Sequence, residues 1–314
     1  MVTPLRGRDE LDLSGLEQLI EHILSGGVAG IFILGTTGEG PSLSYRLRRE
    51  LIERTCRQVR ARVPVLVGIT DTAFVESVSL ARHAAAVGAD ALVLAPPFYF
   101  PEGQPELQEY LDHLVAELPL PLFLYNTPAN TKVQYGLGAL RQAMDRPQVV
   151  GLKDSSKNMD YFRDAVGLIK QRPDWSLLVG PEELLADAVL AGGHGGVPGG
   201  ANLFPKLYVQ LCEAARDRDV PRSRQLQAQV LHISNSLYQI GRHPSAIIKG
   251  IKCALACSGI CDDFMAEPFH RFRARERARV QEQLAELTAG VEKLVANHQP
   301  GDGHHGVLHC PTPN

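Results

Sequence analysis

Short apolar runs alternate with amphipathic stretches along most of this chain, and that alternation limits the possible folds more than any other feature. The runs are rich in Val, Ile and Leu and lack polar residues at every second position, which is typical of strands buried on both faces. Seven can be counted, at residues 28–34, 64–69, 90–95, 120–125, 148–153, 176–180 and 195–198. Between them, apolar residues are spaced for one face of a helix, most clearly over residues 107–118. This succession predicts parallel β/α units.

The number of strands decides between two architectures. The first four residues, Met1-Val2-Thr3-Pro4, are predicted to be the truncated remainder of an eighth strand, which precedes a helix over residues 13–24. Eight parallel strands favour an α/β fold of the TIM type, a (β/α)8 barrel. A doubly wound open sheet is the alternative, but no GxGxxG follows the first strand and no P-loop sequence is present.

The pattern becomes purely helical after Pro198, with helices predicted over residues 206–217, 222–240, 245–258 and 274–296. The first of these can close the barrel, and the others exceed what a barrel needs. We therefore predict a barrel over residues 1–218 with a truncated first strand, and a C-terminal helical region packed on it over residues 219–298. Residues 299–314 are predicted to form a disordered tail.

Composition excludes several classes of partner. The net charge is −3 and the sequence pI is near 6.4, so no basic surface for nucleic acid is predicted. No apolar run reaches the roughly 18 residues that a membrane span needs, and the N-terminus has no signal-peptide pattern. Six cysteines in 314 residues do not indicate a disulfide scaffold. We predict a cytoplasmic protein that binds neither nucleic acid nor membranes.

Two groups of potential metal ligands are interpreted without a metal. Cys253, Cys257 and Cys261 are spaced four apart, and we interpret them as small apolar residues that pack a helix. Four further candidates lie near the C-terminus among Gly and Pro: His304, His305, His309 and Cys310. Because they fall in a segment predicted to be disordered, no metal site is predicted there.

Lys153 is the strongest candidate for chemistry. It closes the apolar run that begins at Val149, and it is followed by Asp154. Burial of a lysine disfavours the charged ammonium and favours the neutral amine, which can attack a carbonyl carbon to form a Schiff base. The alternative is a lysine whose ammonium group reaches solvent at the end of the strand.

Other candidates also follow predicted strands, where a barrel places its active site. Gly35-Thr36-Thr37-Gly38-Glu39-Gly40 offers hydroxyls and free backbone N–H groups that suit an anion, although glycine and threonine also form ordinary loops. Tyr125 ends the strand before that of Lys153, so the two side chains are predicted to be neighbours. A tyrosine in this position can equally be a core residue. Gly180 ends the next strand, and the small residues at 192–200, after the last one, leave room for a ligand.

Taken together and in order, these motifs resemble the superfamily of N-acetylneuraminate lyase and dihydrodipicolinate synthase, which are class I aldolases. The matching segments are Gly35-Thr-Thr-Gly-Glu, Tyr125-Asn-Thr-Pro, Gly151-Leu-Lys153-Asp and Gly192-Gly-His-Gly. The resemblance implies that Lys153 forms a Schiff base with pyruvate or another 2-oxo acid and that Tyr125 is the general acid/base. It also implies a homo-oligomer, either a dimer or a tetramer.

The same resemblance assigns the substrate-binding residues. Thr36 and Thr37 would hold the substrate carboxylate, Thr37 would also be linked to Tyr125, and Val197 would offer its backbone carbonyl. Gly35 and Gly180 would line the site. No metal or organic cofactor is implied, because the protonated imine itself accepts the electrons of the bond that breaks.

Two departures from the family pattern bear on the substrate. Dihydrodipicolinate synthases carry an arginine where this chain has Asn130, and a neutral amide cannot replace a bidentate guanidinium. The tyrosine that such synthases lend across a dimer interface falls at Phe98, with Tyr99 beside it. Residues 38–44 are instead similar to those of 2-keto-3-deoxy sugar-acid aldolases.

We therefore predict a carbon–carbon lyase that reversibly cleaves a 4-hydroxy-2-oxo acid, such as a 2-keto-3-deoxy sugar acid. In that function, Asn130 and Tyr99 would help to bind the hydroxyl-rich end of the substrate. One alternative is a dihydrodipicolinate synthase that condenses pyruvate with aspartate semialdehyde. Another is a non-catalytic barrel that binds a 2-oxo acid.

Overall fold

The structure is a computed structural model that describes residues 1–296, and a curled parallel sheet forms its centre. A short antiparallel hairpin, β1 (Leu5–Gly7) and β2 (Glu10–Leu11), precedes that sheet. The sheet itself has seven strands in chain order: β3 (Ile31–Ile33), β4 (Val65–Gly68), β5 (Ala91–Leu94), β6 (Leu122–Asn126), β7 (Val149–Asp154), β8 (Ser176–Val179) and β9 (Gly195–Gly196). Each predicted apolar run therefore overlaps one strand, with β6 and β7 ending one residue later than predicted, and every neighbouring pair is parallel.

Helices connect successive strands and cover the outer face of the sheet. They are α1 (Leu13–Ser25), α2 (Tyr45–Val59), α3 (Phe74–Ala86), α4 (Gln104–Glu117), α5 (Pro128–Thr131), α6 (Leu137–Met144), α7 (Met159–Ile169), α8 (Leu185–Leu190) and α9 (Pro205–Arg216). The apolar face of each long helix supplies the core; on α4, for example, Leu107, Leu111 and Leu114 are fully buried. This α/β alternation confirms the predicted class of fold.

The predicted eighth strand is not found. Residues 1–4 form no strand, so the described chain has a seven-stranded curled sheet where an eight-stranded barrel was predicted. The Met1 amino group donates a hydrogen bond to the Phe32 carbonyl (2.6 Å), and the Val2 N–H donates one to Asn202 Oδ1 (2.9 Å). These are isolated bonds, one of them to a side chain, whereas a parallel strand needs a ladder of backbone bonds. Pro4 has no N–H group to extend one.

Three more helices follow α9, close to the predicted positions: α10 (Val220–Leu237), α11 (Ala246–Cys257) and α12 (Ala274–Ala296). α10 packs along α9, and α12 packs on α9, α10 and α11. The boundary predicted at residue 218 remains a prediction. The helices on its two sides, α9 and α10, pack against each other. Cys253 and Cys261 are buried in the main core and Cys257 packs against it.

Two predictions lie outside the described residues: the disordered tail at residues 299–314 and the four potential metal ligands within it. Among the helices of residues 1–296, none is both long and apolar enough to cross a membrane.

The sheet has two apolar faces, and glycines are required where its inner face is crowded. The inner cluster consists of Val93, Ala95 and Tyr125, with Phe32, Leu66 and Phe123 packed against it. A Cβ atom on Gly151 of β7 would lie 2.5 Å from the Phe123 ring and would also collide with the Ser176 carbonyl oxygen. The inner face therefore has no room for a methyl group at residue 151.

We expect Gly151→Ala to lower the free energy of unfolding by about 1–3 kcal/mol, because overpacking forces side chains and backbone to shift. Gly167→Ala is the matched control. Gly167 is an exposed residue within α7, nothing lies within 4 Å of its added Cβ, and alanine favours helix there by about 0.5–1 kcal/mol. Urea unfolding measures both changes. Equal stability of the two variants would contradict this description of the inner face.

Candidate active site

Lys153 and Tyr125 lie side by side at the carboxyl ends of two neighbouring strands. In the parallel pairing of β6 with β7, Tyr125 is opposite Lys153 and Asn126 is opposite Asp154. The register shifts by one residue near the start of this pair, where Leu122 is opposite Val149 but Phe123 is opposite Gly151. Without that extra residue on β7, Tyr125 would be opposite residue 152. The irregularity therefore brings the lysine level with the tyrosine.

The Lys153 side chain is buried against aromatic rings. Only 7% of the residue is exposed, so the side chain is largely enclosed by its neighbours. Nζ lies 4.0 Å from the centre of the Tyr125 ring and 4.8 Å from that of Phe32. The two rings meet edge to face with their centres 6.4 Å apart. Within residues 1–296, no carboxylate forms an ion pair with Lys153.

The Tyr125 hydroxyl is the centre of a small hydrogen-bonding group. Its oxygen lies 3.1 Å from Thr36 Oγ1. Burial alone would raise the pKa of the phenol, but the positive charge of Lys153 and hydrogen bonds from Thr36, Ser155 and Thr127 lower the pKa to about 8. A phenol with this pKa can both accept and release a proton near neutral pH.

Of the two threonines, Thr36 and not Thr37 lies within hydrogen-bonding distance of the Tyr125 hydroxyl, which corrects one expectation from the sequence. Thr37 was expected to contact Tyr125, but the hydroxyl within hydrogen-bonding distance is that of Thr36. Thr37 faces another part of the site, because a Cβ atom on Gly199 would lie 3.9 Å from Thr37 Oγ1. Consecutive residues of this turn point in different directions, so Thr36 reaches β6 and Thr37 lies beside the segment after β9.

The turn that carries both threonines is tightly closed. The Glu39 N–H donates to the Thr36 carbonyl (3.0 Å), and the Gly40 N–H donates to the Gly35 carbonyl (3.3 Å). Leu34 and Glu39 have φ angles of 60° and 55°, in the left-handed region that non-glycine residues adopt only when their surroundings hold them there. Gly35 packs on β3, where a Cβ atom would lie 2.6 Å from the Phe32 ring.

Glu39 is held by a residue that the sequence did not point to. Its side chain is completely buried, and Oε2 forms an ion pair with Lys252 Nζ of α11 at 2.6 Å. The other oxygen, Oε1, accepts a hydrogen bond from the Ala266 N–H at 2.8 Å. The motif that contains Glu39 was recognisable, but nothing in the sequence indicated its partner 213 residues away.

The next two strand ends complete the surroundings of Tyr125. The Ser155 N–H donates to the Asn126 carbonyl (2.7 Å), and the Gly180 N–H donates to the Asp154 carbonyl (2.7 Å). A Cβ atom on Gly180 would collide with Ser155 Oγ, so only glycine leaves the serine hydroxyl in its place. Val197 donates its N–H to the Val179 carbonyl (2.8 Å) and so extends the edge of β8.

Two buried carboxyl groups near the site have hydrogen-bonding partners other than Lys153. Asp154 accepts a hydrogen bond from Asn126 Nδ2 (2.7 Å), and burial raises the pKa of Asp154. Glu182 accepts bonds from the Tyr208 and Tyr238 hydroxyls and from the Gly200 N–H, while burial raises its pKa to about 7. Both carboxyl groups hold strand ends and loops in place. Neither of these roles was predicted from the sequence.

Asn130 and Tyr99 are not drawn into the buried cluster. Asn130 is exposed on α5, directly after β6, and its Nδ2 donates to Thr127 Oγ1 at 3.0 Å. Tyr99 is 70% exposed on the loop after β5, where it packs edge to face with Phe100. Within one chain, therefore, Asn130 lies at the rim of the site and Tyr99 projects outward.

Comparison with known proteins shows the family of this chain. Residues 1–287 match the model of the dihydrodipicolinate synthetase family, and the chain belongs to that family. Members of this family are lyases and aldolases.

Three relatives illustrate the range within the family. A dihydrodipicolinate synthase structure from Bacteroides thetaiotaomicron is 53% identical, with a TM-score of 0.89, and the alignment covers 91% of this chain and 96% of the other. A 4-hydroxy-tetrahydrodipicolinate synthase from Ralstonia nicotianae is 33% identical over 76% of this chain and 80% of its own. A probable 2-dehydro-3-deoxy-D-pentonate aldolase from Escherichia coli, YjhH, is 30% identical over 80% and 82%. The relatives of this chain thus include synthases and an aldolase.

We expect Thr36→Val to raise the pKa of Tyr125 above about 8, because the lost hydrogen bond favours the phenolate. Carbon NMR of protein labelled at tyrosine Cζ measures the titration, and the Tyr125→Phe spectrum identifies the signal. Thr37→Val is the control and should leave the midpoint unchanged. A larger shift in Thr37→Val than in Thr36→Val would contradict the observed geometry.

Proposed function

We propose that this protein is a class I aldolase in which Lys153 forms a Schiff base with a 2-oxo acid and Tyr125 carries the proton. One observation carries the proposal: a buried lysine without a carboxylate partner, in the described residues, lies 4.0 Å from the ring of a tyrosine whose hydroxyl meets Thr36. A nucleophile, a proton carrier and a polar link to it are the groups that imine chemistry requires.

In the proposed reaction, the neutral amine of Lys153 attacks the keto carbon of the substrate. Tyr125 donates the proton with which the carbinolamine hydroxyl leaves as water, which gives a protonated imine and leaves Tyr125 as the phenolate. The Tyr125 phenolate then removes the proton of the C4 hydroxyl. The bond between C3 and C4 breaks, its electron pair moves into the imine to form an enamine, and the aldehyde leaves. Tyr125 returns its proton to the enamine carbon. Water then hydrolyses the protonated imine, which releases pyruvate and the free amine and returns a proton to the Tyr125 phenolate.

The surroundings of Tyr125 support this role. At neutral pH, a phenol with a pKa of about 8 is protonated in most molecules, yet the phenolate is accessible at small cost. The Thr36–Thr37 turn is proposed to hold the substrate carboxylate through its hydroxyls and free N–H groups. Because the protonated imine accepts the electrons, the proposed chemistry requires neither a metal nor an organic cofactor.

The preferred substrate is proposed to be a 4-hydroxy-2-oxo acid, such as a 2-keto-3-deoxy sugar acid. Asn130 offers an amide at the rim of the site, and amides suit hydroxyl groups. The aldolase relative supports this choice. The non-catalytic 2-oxo-acid-binding barrel has no comparable support, because the family consists of lyases and aldolases.

A second candidate is dihydrodipicolinate synthase, which would condense pyruvate with aspartate semialdehyde. The 53% identical structure carries that name, as does the 33% identical relative. Against it stands Asn130, where such a synthase needs a cation for the second carboxylate. A charge-assisted hydrogen bond of that kind contributes about 1.5–3 kcal/mol.

Covalent trapping tests the Schiff base. We expect incubation with pyruvate and borohydride to add one reduced pyruvyl group, located at Lys153 by peptide mapping. Lys153→Ala and Lys153→Arg should both lose the adduct, the latter because guanidinium stays protonated in proteins. An adduct at Lys132, Lys157 or Lys252, or none, would contradict the proposal.

Tyr125→Phe separates binding from catalysis in the same assay. This variant should still form the adduct at Lys153 to some extent, while kcat falls by about 10²–10⁴-fold, as is usual when a general acid/base is lost. A loss confined to KM, with kcat unchanged, would show that Tyr125 only helps to bind the substrate.

Substrate preference tests the aldehyde partner. We expect cleavage of a 4-hydroxy-2-oxo acid to exceed condensation of aspartate semialdehyde in kcat/KM by about 10- to 100-fold, which corresponds to the missing charged hydrogen bond. Asn130→Arg should shift the ratio toward the semialdehyde, and Asn130→Gln is its matched neutral control. Efficient condensation by the unaltered protein, without cleavage of any 4-hydroxy-2-oxo acid, would favour the synthase.

We also propose that the protein is a homo-oligomer, a dimer or a tetramer. Tyr99 and Phe100 are 70% and 76% exposed, and large exposed aromatic pairs are typical of interfaces. Replacing both with serine should weaken self-association by at least about tenfold, since buried aromatic residues dominate interface energetics. Sedimentation velocity measures this, with Leu231→Ser on α10 as a control. A monomeric unaltered protein would contradict the proposal.

A further inference from the structure

We propose that the buried ion pair between Glu39 and Lys252 is a positioning pair, which fixes the turn that presents Thr36 to Tyr125. The catalytic role of this pair rests on the proposed function. What the pair is proposed to fix is the position of the Thr36 hydroxyl. Neither residue contacts Lys153 or Tyr125, so neither is proposed to take part in the reaction itself.

The pair is fully enclosed, and each of its charged atoms has a hydrogen-bonding partner. Both side chains are 0% exposed, and Nζ of Lys252 donates to Glu39 Oε2 and to the Phe264 carbonyl, each at 2.6 Å. With Ala266 donating to Oε1, one carboxylate and one ammonium connect the turn after β3, helix α11 and residues 264–266. The turn is 213 residues from Lys252 and 227 residues from Ala266, whereas the other two segments are close to each other in sequence.

Stability alone is a weak reason for such a pair. Removing two charges from water costs free energy that their attraction only partly returns, and apolar residues of similar volume are often as stabilising. What an ion pair supplies is direction, because an ammonium and a carboxylate with further hydrogen bonds fit in one arrangement. The left-handed φ of Glu39 (55°) also needs its surroundings to hold it.

The position of Glu39 is transmitted directly to Thr36. The Glu39 N–H donates to the Thr36 carbonyl, and Thr36 Oγ1 lies 3.1 Å from the Tyr125 hydroxyl. The turn is tightly closed, because a Cβ atom on Gly40 would collide with the Leu34 carbonyl oxygen. A displacement of Glu39 is therefore expected to move Thr36 with it and to change the distance between the threonine hydroxyl and Tyr125.

Three variants test the coupling by NMR of the Tyr125 Cζ signal, which requires no enzymatic activity. Lys252→Met removes the cation, and Glu39→Leu with Lys252→Met removes both charges together, so that no unpaired charge remains buried. We expect both to raise the titration midpoint of Tyr125 toward that of Thr36→Val. Lys249→Met is the matched control, since Lys249 lies one turn earlier on α11 and forms no ion pair with Glu39; it should match the unaltered protein.

A double-mutant cycle provides the kinetic arm. We expect Lys252→Met to lower kcat by about 10- to 100-fold, the size of effect that a small misplacement causes, while the borohydride adduct at Lys153 still forms. In a Thr36→Val background the same substitution should cost less than about 3-fold, because the effects of residues that act through one another are not additive.

The outcomes separate the two proposals. If the unaltered protein forms no adduct at Lys153, the Schiff-base function fails, and the NMR titration still decides the positioning pair. If the charge-free double variant folds and keeps the Tyr125 midpoint of the unaltered protein, the positioning pair is wrong. It is equally wrong if the losses in kcat from Lys252→Met and Thr36→Val simply multiply.

Discussion

The candidate site depends on the register of β6 against β7. Side chains alternate between the two faces of a strand, so a slip of one residue moves a side chain from one face to the other. The irregularity between Leu122 and Phe123 shifts the pairing by one residue and sets Tyr125 opposite Lys153. From that single geometric fact follow the contact between amine and ring, the influence of the lysine charge on the phenol, and the enclosure of both by Phe32.

Small residues on the same face make this contact possible. Gly151 precedes Lys153 by two residues, so both point inward, and the missing side chain leaves space for Phe123. At the strand ends, Gly180 leaves space for the Ser155 hydroxyl in the same way. The inner face therefore places aromatic rings, small aliphatic residues and glycine around one largely enclosed lysine.

Features encoded locally could be predicted from the sequence, and long-range contacts could not. Seven strands and the neighbouring positions of Tyr125 and Lys153 followed from apolar runs and chain order, because parallel β/α units place consecutive strands together. The choice between Thr36 and Thr37 depended on the direction of two side chains within one turn, which spacing does not define. The partner of Glu39 lies on α11, and no sequence pattern links residues that far apart.

The residues that would form the imine and those that would choose the aldehyde are physically separate. Lys153, Tyr125 and Phe32 lie on strands and are held by the sheet, so relatives that share these strands can share the first half of the reaction. Asn130 lies on a short exposed helix beyond β6, where a substitution changes the charge offered to a ligand without disturbing the core. Specificity is a difference between two affinities, and one cation at the rim suffices to alter it. In the proposed function, membership of the family would therefore constrain the chemistry of the lysine more strongly than the identity of the aldehyde, which would depend on a few exposed side chains.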